Sequence, residues 1–446
     1  MSSPELLHQW DFQHVWHPFT QASEWEAAGP PLIIEKAEGC ELIDVYGQRY
    51  LDGISSLWTN VHGHNHPAIN QALRDQLDRI SHSTLLGQAG VPSIVLAKRL
   101  SDLLAKIPGD EPPLTRTFYS DSGSTAVEVA LKMAFQFHQQ TGEVQRHRFA
   151  ALTEAYHGDT IGSVSVGGID LFHEVYRPML FDAVRIPAPD RAVEAEESTC
   201  LEVAKKLFEE HGKEIAALVV EPLVQGAAGM RMHSSQYLRE IIGMARAVGA
   251  LVICDEVAVG FGRTGTMFAM EQVGCRPDII CLAKGITGGY LPLAATVVTE
   301  QLYSAFRGPY TDYRTLFHGH TYTGNALGCA SALASLDVFE QHQVIEQLPQ
   351  KITALSSALA SLPNRHIQEI RQKGMMAAAV LKHGAGAAAR VGHHVSMATR
   401  KHGAIVRPLG DSIIFMPPLA MSETQIAQLG LAVAAGIRDV LDKADA

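Results

Sequence analysis

The sequence predicts an α/β fold, a mostly parallel sheet with helices on both faces, joined to a small α+β domain built from the two ends of the chain. Three observations carry that expectation. The middle of the chain alternates short apolar, β-branched runs with amphipathic stretches, and those stretches tend to stop at a glycine. The 446 residues, 46% hydrophobic and 19% charged, suffice for one large core and a second, smaller one. Buried runs alternating with helices form the βαβ pattern of a parallel sheet, in which ligands gather at the carboxyl ends of the strands.

Taken in order, residues 1–60 form the N-terminal segment of the small domain. They contain LIIEKAEGCELIDVYGQRYLDG, an antiparallel hairpin-like stretch with turns at EG and YGQ. Residues 61–330 form the large domain. Its strands are expected at TFYSD (117–121), ALVVEP (217–222), ALVICDE (250–256), DIICLAKG (278–285) and LAATVVT (293–299). STCLEVAKKLFEEHG and SQYLREIIGMARAVG supply helices between strands. Residues 331–446 complete the small domain with a long helical stretch, a strand at MMAAAVL, a hairpin at IVRPLGDSIIFMPP and a last helix opened by a capping box from Ser422 to Gln425. GAGAAAR (384–390) is a loop candidate.

The formal net charge of −11 argues against nucleic acid or an anionic membrane surface as partner, since both call for clustered Lys and Arg. The N-terminus lacks a basic start followed by an apolar core, and no run of eighteen apolar residues occurs, so secretion and membrane insertion are not expected. Six cysteines without a CxxC suit reduced thiols in a cytoplasm.

Several motifs carry chemistry. In LVICDEVAVGFGRTG (251–265), Asp255 and Glu256 follow a buried strand directly. Gly260, Gly262 and Gly265 spell the dinucleotide fingerprint there, but two carboxylates beside it would repel a pyrophosphate. In FYSDSGSTAVEVALKMA (118–134), Ser122, Gly123, Ser124 and Thr125 open a helix; they read equally well as a phosphate cradle and as an ordinary N-cap. Lys284 follows an apolar strand and precedes glycines; burying an ammonium is costly, so it is either a lysine snorkelling at a strand end or an amine kept neutral enough to form an imine. An imine-forming lysine, a carboxylate for a pyridinium nitrogen and a phosphate site are the three requirements of pyridoxal phosphate. Asp255 would be that carboxylate; Glu256 has no role legible here.

EAYHGDT (154–160) sets Tyr156, His157 and Asp159 in a loop, where an aromatic side chain can cover a flat ring or simply join the core. His62, His64 and His66 alternate in HGHNHP, but without a neighbouring carboxylate or Cys no metal site is expected. Arg407 in IVRPLGD offers a planar fork for a carboxylate, or is a surface arginine.

Taken together, VWHPFTQ, DGISSLW, NVHGHNHP, SDSGSTAVEVALKMA, YHGDTIG, EPLVQGAAGM, DEVAVGFGRTG, LAKGITGG, HGHTYTGN and VRPLGD resemble the class III pyridoxal-phosphate aminotransferases over nearly the whole chain. Within that class they resemble the 7,8-diaminopelargonate synthases of biotin synthesis, with Ala258 after D-E-V as a further sign. The resemblance implies fold type I of the pyridoxal-phosphate enzymes and a homodimer with shared active sites. It implies Lys284 as the lysine that holds the cofactor, Asp255 as pyridinium partner, Gly123 and Ser124 as phosphate site, and Tyr156 over the ring. Thr321, with His320 and Gly319 beside it, would reach a phosphate across the dimer interface. Arg407 would hold the carboxylate of 8-amino-7-oxononanoate, with Phe19, Leu57, Trp58, Asp159 and Arg263 around the substrate.

Members that use S-adenosylmethionine as amino donor typically carry Tyr at Phe19, Trp at Leu57 and Pro at His320. Loss of an indole and a phenol removes flat surface and a hydroxyl suited to a sulfonium and an adenine. A lysine-using branch resembles the chain more closely in HSTLLG, HGHTYTGN and VRPLGD, so L-lysine is the favoured donor over S-adenosylmethionine. The rivals are another class III ω-amino acid:2-oxo acid aminotransferase, a nicotinamide dehydrogenase on the glycine run, and a non-catalytic binder of the cofactor.

Overall fold

A computed structural model describes residues 3–27 and 29–444. Its centre is a seven-stranded sheet in the order Leu114–Ser120, Ala294–Thr299, Ile279–Leu282, Leu251–Asp255, Ile215–Val220, Arg148–Leu152, Ala183–Ile186. All five expected strands are present. The two outermost on one side, Arg148–Leu152 and Ala183–Ile186, add to them.

One strand runs against the rest. Ala294–Thr299 is antiparallel to both of its neighbours, Ile279–Leu282 and Leu114–Ser120. The connection into it carries only the short turn Lys284–Thr287. Without a crossover helix the chain can only double back.

Side chains alternate across the sheet. Val252, Cys254, Ile280 and Leu282 face one core, while Ile253, Ile279 and Cys281 face the other with helix Gly123–Thr141. Helices Glu194–His211 and Ser235–Ala247 cover the first face, the former starting earlier than its sequence pattern suggested.

The two chain ends meet. Strands Ile34–Glu38, Glu41–Asp44 and Arg49–Asp52 form a meander, and Ala404–Ile405 adds to it in parallel through Leu51 and Asp52. Strands Ile367–Lys373, Met376–Leu381, Ser412–Phe415 and Arg407–Leu409 make a second antiparallel sheet, which contains both the expected strand and the expected hairpin. Helix Glu423–Ala444 opens as anticipated: Gln425 N–H donates to Ser422 Oγ at 3.3 Å and Ser422 N–H to Gln425 Oε1 at 3.1 Å. Residue 330 lies inside helix Ala326–Gln341, so a boundary there would cut a continuous element. The GAGAAAR stretch is a loop holding a single short turn, Ala387–Ala389. No helix among the described residues is long and apolar enough to cross a membrane.

Candidate active site

Five strand ends deliver the site, at the carboxyl edge of the sheet. After Ser120 the chain enters helix Gly123–Thr141; after Leu152 it forms the loop of Tyr156 to Thr160; Glu221 follows Val220; Asp255 ends its strand; Lys284 follows Leu282 by two residues. Together they line a cavity of about 700 Å³.

Lys284 is half-buried there with its backbone at φ 46°, a left-handed conformation costly for any residue but glycine. Its Nζ lies 4.9 Å from the Trp58 ring centroid. Burial pushes its amine below the ordinary lysine value, and Asp255 and Glu221 pull the other way. A lysine held closer to neutrality is a better nucleophile and base.

Asp255 is buried and doubly held. Its Oδ2 lies 2.8 Å from His157 Nδ1, and its Oδ1 accepts the Val257 N–H at 3.0 Å. His157 Nε2 is buried without a hydrogen-bond partner among the described residues. The imidazole therefore commits one nitrogen to orienting the carboxylate. The sequence named His157 only as a loop residue, because its partner lies 98 positions away.

Glu221 went unnoticed as well, as the polar end of an apolar strand. It is buried in the cavity wall and accepts the N–H groups of Tyr156 and Gly226, each at 3.1 Å. Burial pushes its carboxyl up to about 7, against the pull of His157 and those two donors.

At the helix start both readings of SGST hold. Ser122 and Thr125 form a reciprocal capping box, Thr125 N–H to Ser122 Oγ and Ser122 N–H to Thr125 Oγ1. The N–H groups of Gly123 and Ser124 have no intrahelical acceptor, and both residues line the cavity. A Cβ on Gly123 would come 2.5 Å from Val257 Cγ1, and one on Gly158, at φ 115°, 2.4 Å from Ser124. Only glycine fits this closely built wall, and an anion suits the helix dipole there.

Beside this cavity lies a smaller one, about 120 Å³, which shares Trp58, Tyr156 and Lys284 with it and adds Phe19, Leu57, Phe172 and Arg407. The Phe19 and Phe172 rings meet edge-on at 5.4 Å. Tyr156 donates its hydroxyl to Asp159 Oδ2 at 2.8 Å, so Asp159 aims the ring that separates the chambers. Arg407 makes no ion pair among the described residues, and burial lowers its pKa. A half-buried guanidinium without a carboxylate lacks the partner its planar fork fits.

Arg263 does not stand where it was expected. It lines neither chamber; fully buried, it donates from Nη1 to the Pro417 carbonyl at 2.7 Å and from Nη2 to the carbonyls of Asn60 at 2.9 Å and Trp58 at 3.4 Å. Burial pushes its pKa down to about 9. It fastens backbone beneath the chamber. Gly319, His320 and Thr321 are likewise absent from the lining of their own chain's cavities. Thr321 is exposed, and His320 stands 3.6 Å from Asp121 at the cavity rim.

Other motifs find structural partners. Glu256, with no use legible from the sequence, accepts the N–H groups of Met270 at 2.8 Å and Ala269 at 3.0 Å and so pins the loop between. Gly260, Gly262 and Gly265 lie in successive turns of that loop and open no helix, which removes the dinucleotide reading. His62 bonds Ser335 and His64 bonds Asp52.

An amine whose pKa desolvation lowers, an oriented carboxylate and N–H groups without intrahelical acceptors at a helix start fit pyridoxal phosphate. Fold and site thus define a fold type I pyridoxal-phosphate enzyme that handles amino groups. The family model for class III aminotransferases matches residues 23–434. Adenosylmethionine-8-amino-7-oxononanoate aminotransferases resemble the chain at 53% identity in Nitratidesulfovibrio vulgaris, over 95% of this chain and 80% of the relative. In Geobacter sulfurreducens the identity is 48%, over 95% of both. The crystal structure of the enzyme of that name from Methanocaldococcus jannaschii superposes with a TM-score of 0.91 at 40% identity, covering 98% of this chain and 100% of that one. A PLP-bound amine transaminase from an uncultivated Pseudomonas species gives 0.89 at 31%, covering 96% and 99%. The chain belongs to the class III aminotransferases, and pyridoxal phosphate is its cofactor.

Proposed function

We propose that the protein transfers an amino group to 8-amino-7-oxononanoate, giving 7,8-diaminononanoate for biotin synthesis, with L-lysine favoured over S-adenosylmethionine as donor. The observation that carries this is Arg407, a guanidinium without an acidic partner among the described residues, in a largely apolar chamber that also holds Lys284. An acceptor with a carboxylate at one end, a methylene chain and a ketone at the other matches that arrangement. The names of the relatives point the same way.

Lys284, Asp255, Gly123 and Ser124 would hold the cofactor. When bound, it supplies an electron sink for the charge left on carbon as a proton departs. Lys284 Nζ removes the proton from the donor's amine-bearing carbon in the first half of the reaction. In the second half it delivers a proton to C7 of the acceptor. Asp255, steadied by His157, would present its charge to the ring nitrogen. Tyr156, aimed by Asp159, would cover the ring, and Arg407 would clamp the carboxylate. Phe19 and Leu57 leave the smaller chamber without the phenol and second indole suited to a sulfonium donor, which supports lysine.

Three further assignments belong to this reading. Residues 1–60 with the segment after helix Ala326–Gln341 form the small domain, a division supported by the pairing of Ala404–Ile405 with Arg49–Asp52. Two copies assemble, with Thr321 completing the partner's site; the exposed Tyr310, Tyr313, Phe317 and Tyr322 around it supply apolar surface to cover. The reaction is cytoplasmic, in keeping with six free thiols.

A second reading has a specific basis, because an (S)-enantioselective omega-transaminase from Thermomicrobium roseum superposes at a TM-score of 0.91 and 32% identity, covering 99% of this chain and 100% of that one. The test gives the purified holoenzyme 8-amino-7-oxononanoate with lysine or S-adenosylmethionine, and separately an ω-amine with pyruvate or 2-oxoglutarate. Diaminononanoate formed with lysine is expected. Turnover confined to pyruvate or 2-oxoglutarate would transfer the assignment to the second reading.

A further inference from the structure

Four successive residues, Ser55 to Trp58, hold left-handed backbone angles, with φ of 52°, 47°, 71° and 71°, and none is a glycine. Left-handed turns of this length are unfavourable for L-residues unless their surroundings impose them. The last two, Leu57 and Trp58, line the smaller chamber, and Trp58 also faces Lys284. Something must hold the turn wound.

Ser55 and Trp58 at its ends are held by the Met416 carbonyl and Arg263; the agent at Ser56 is Asp52, fully buried at the end of strand Arg49–Asp52. Its Oδ1 accepts the Ser56 N–H at 2.9 Å and its Oδ2 the Ser56 hydroxyl at 2.8 Å. The same Oδ2 lies 3.0 Å from His64 Nε2, whose Nδ1 is 3.0 Å from Asn60 Nδ2. Asn60 Oδ1 in turn accepts the Gly63 N–H at 2.7 Å. One carboxylate therefore ties the start of the turn to the segment that leaves it. Asp52 lines neither chamber, and touches neither Lys284 nor Arg407 by hydrogen bond.

We propose that Asp52 is a positioning residue for substrate binding: its carboxylate, braced by His64, locks the left-handed turn and thereby sets where Leu57 and Trp58 stand in the acceptor's chamber. The proposal rests on the assignment of that chamber to 8-amino-7-oxononanoate. It extends that assignment to a residue outside the site. Ser56→Gly offers a specific handle, because glycine adopts the left-handed region without the steric cost borne by serine.

The experiment uses the holoenzyme of wild type, Asp52→Ala, Asp52→Asn and Asp52→Ala/Ser56→Gly. KM and kcat for 8-amino-7-oxononanoate are measured together with tryptophan emission, in which Trp58, lining the cavity 4.9 Å from Lys284 Nζ, is expected to be the tryptophan most quenched by cofactor. Asp52→Ala is expected to raise KM on the order of tenfold or more with a smaller change in kcat, and to brighten emission. Asp52→Asn, which keeps an acceptor for the Ser56 N–H, should fall between, and Ser56→Gly should recover part of the loss in the Asp52→Ala background. Unaltered KM and emission in a folded Asp52→Ala overturns the proposal, as does a loss that Ser56→Gly leaves untouched. If Asp52→Ala does not fold, Asp52→Asn against wild type decides by the same two readouts. A wild type inactive on the keto acid would count against the assigned reaction, whereas the emission change judges the turn independently.

Discussion

The two walls of the site are built differently. The cofactor wall stands on the ends of central strands, where Val220 and Asp255 are fixed by parallel ladders, Leu282 by an antiparallel one, and all by cores on both faces of the sheet. The substrate wall comes from segments remote in sequence: Phe19 at φ 52°, the turn Ser55–Trp58, and Arg407 from a hairpin. It is held by side chains gripping backbone, such as Ser55 Oγ on the Met416 carbonyl at 2.7 Å and Arg263 on the Pro417 carbonyl. The left-handed turn alone carries strain of about 1–2 kcal/mol per residue that these grips must offset. The lesson is a division of labour in which damage to the first wall should strike the chemical step and damage to the second should strike affinity.

The largest effect should come from Lys284→Ala, which removes the amine that moves the proton. Transamination is expected to fall by about 10³-fold or more, measured as single-turnover rate. Near-normal turnover would break the comparison at its strongest point. Next comes Asp255→Asn, which keeps shape but removes the charge facing the ring nitrogen, with kcat lowered by about 10²-fold and KM little changed. Arg407→Ala should do the reverse. Loss of one charge-assisted contact of about 1.5–3 kcal/mol corresponds to a KM for 8-amino-7-oxononanoate raised about ten- to a hundredfold, with kcat nearly preserved.

Much of the first wall was legible in the sequence because its residues sit at the ends of apolar runs. Lys284 and Asp255 announce themselves by being charged where burial is expected, and glycine and serine at a helix start suggest an anion without any structure. His157 and Glu221 were not legible, since their value lies in contacts with residues far along the chain. Arg263 came only from the resemblance, which sets it near the substrate; its own contacts, like theirs, are with distant residues, and the fold turns it inward onto carbonyls. The reversed strand Ala294–Thr299 was readable only through the shortness of the connection before it. The left-handed turn leaves no compositional trace, because serine, leucine and tryptophan are not residues that favour positive φ.

The smallest effect sharpens the picture of the first wall's support. Burial pushes the Glu256 carboxyl up to about 8, against the two N–H groups it accepts. The folded protein then binds a proton that the unfolded chain has released, so this group's contribution to stability is complete below the ordinary carboxyl value and is lost as pH rises through about 8. Glu256→Gln removes that titration. Its melting temperature should vary less than the wild type's between about pH 5 and pH 8, and an unchanged slope would mean that the carboxylate is ionised in the fold.

The central claim is that Lys284 and Asp255 address one molecule of pyridoxal phosphate. Borohydride treatment of the purified holoenzyme followed by peptide mapping by mass spectrometry tests it most directly. The pyridoxyl-phosphate mass is predicted on the peptide that contains Lys284 and on no other. A label carried by a different lysine, or no label on protein whose cofactor was bound before treatment, would contradict it.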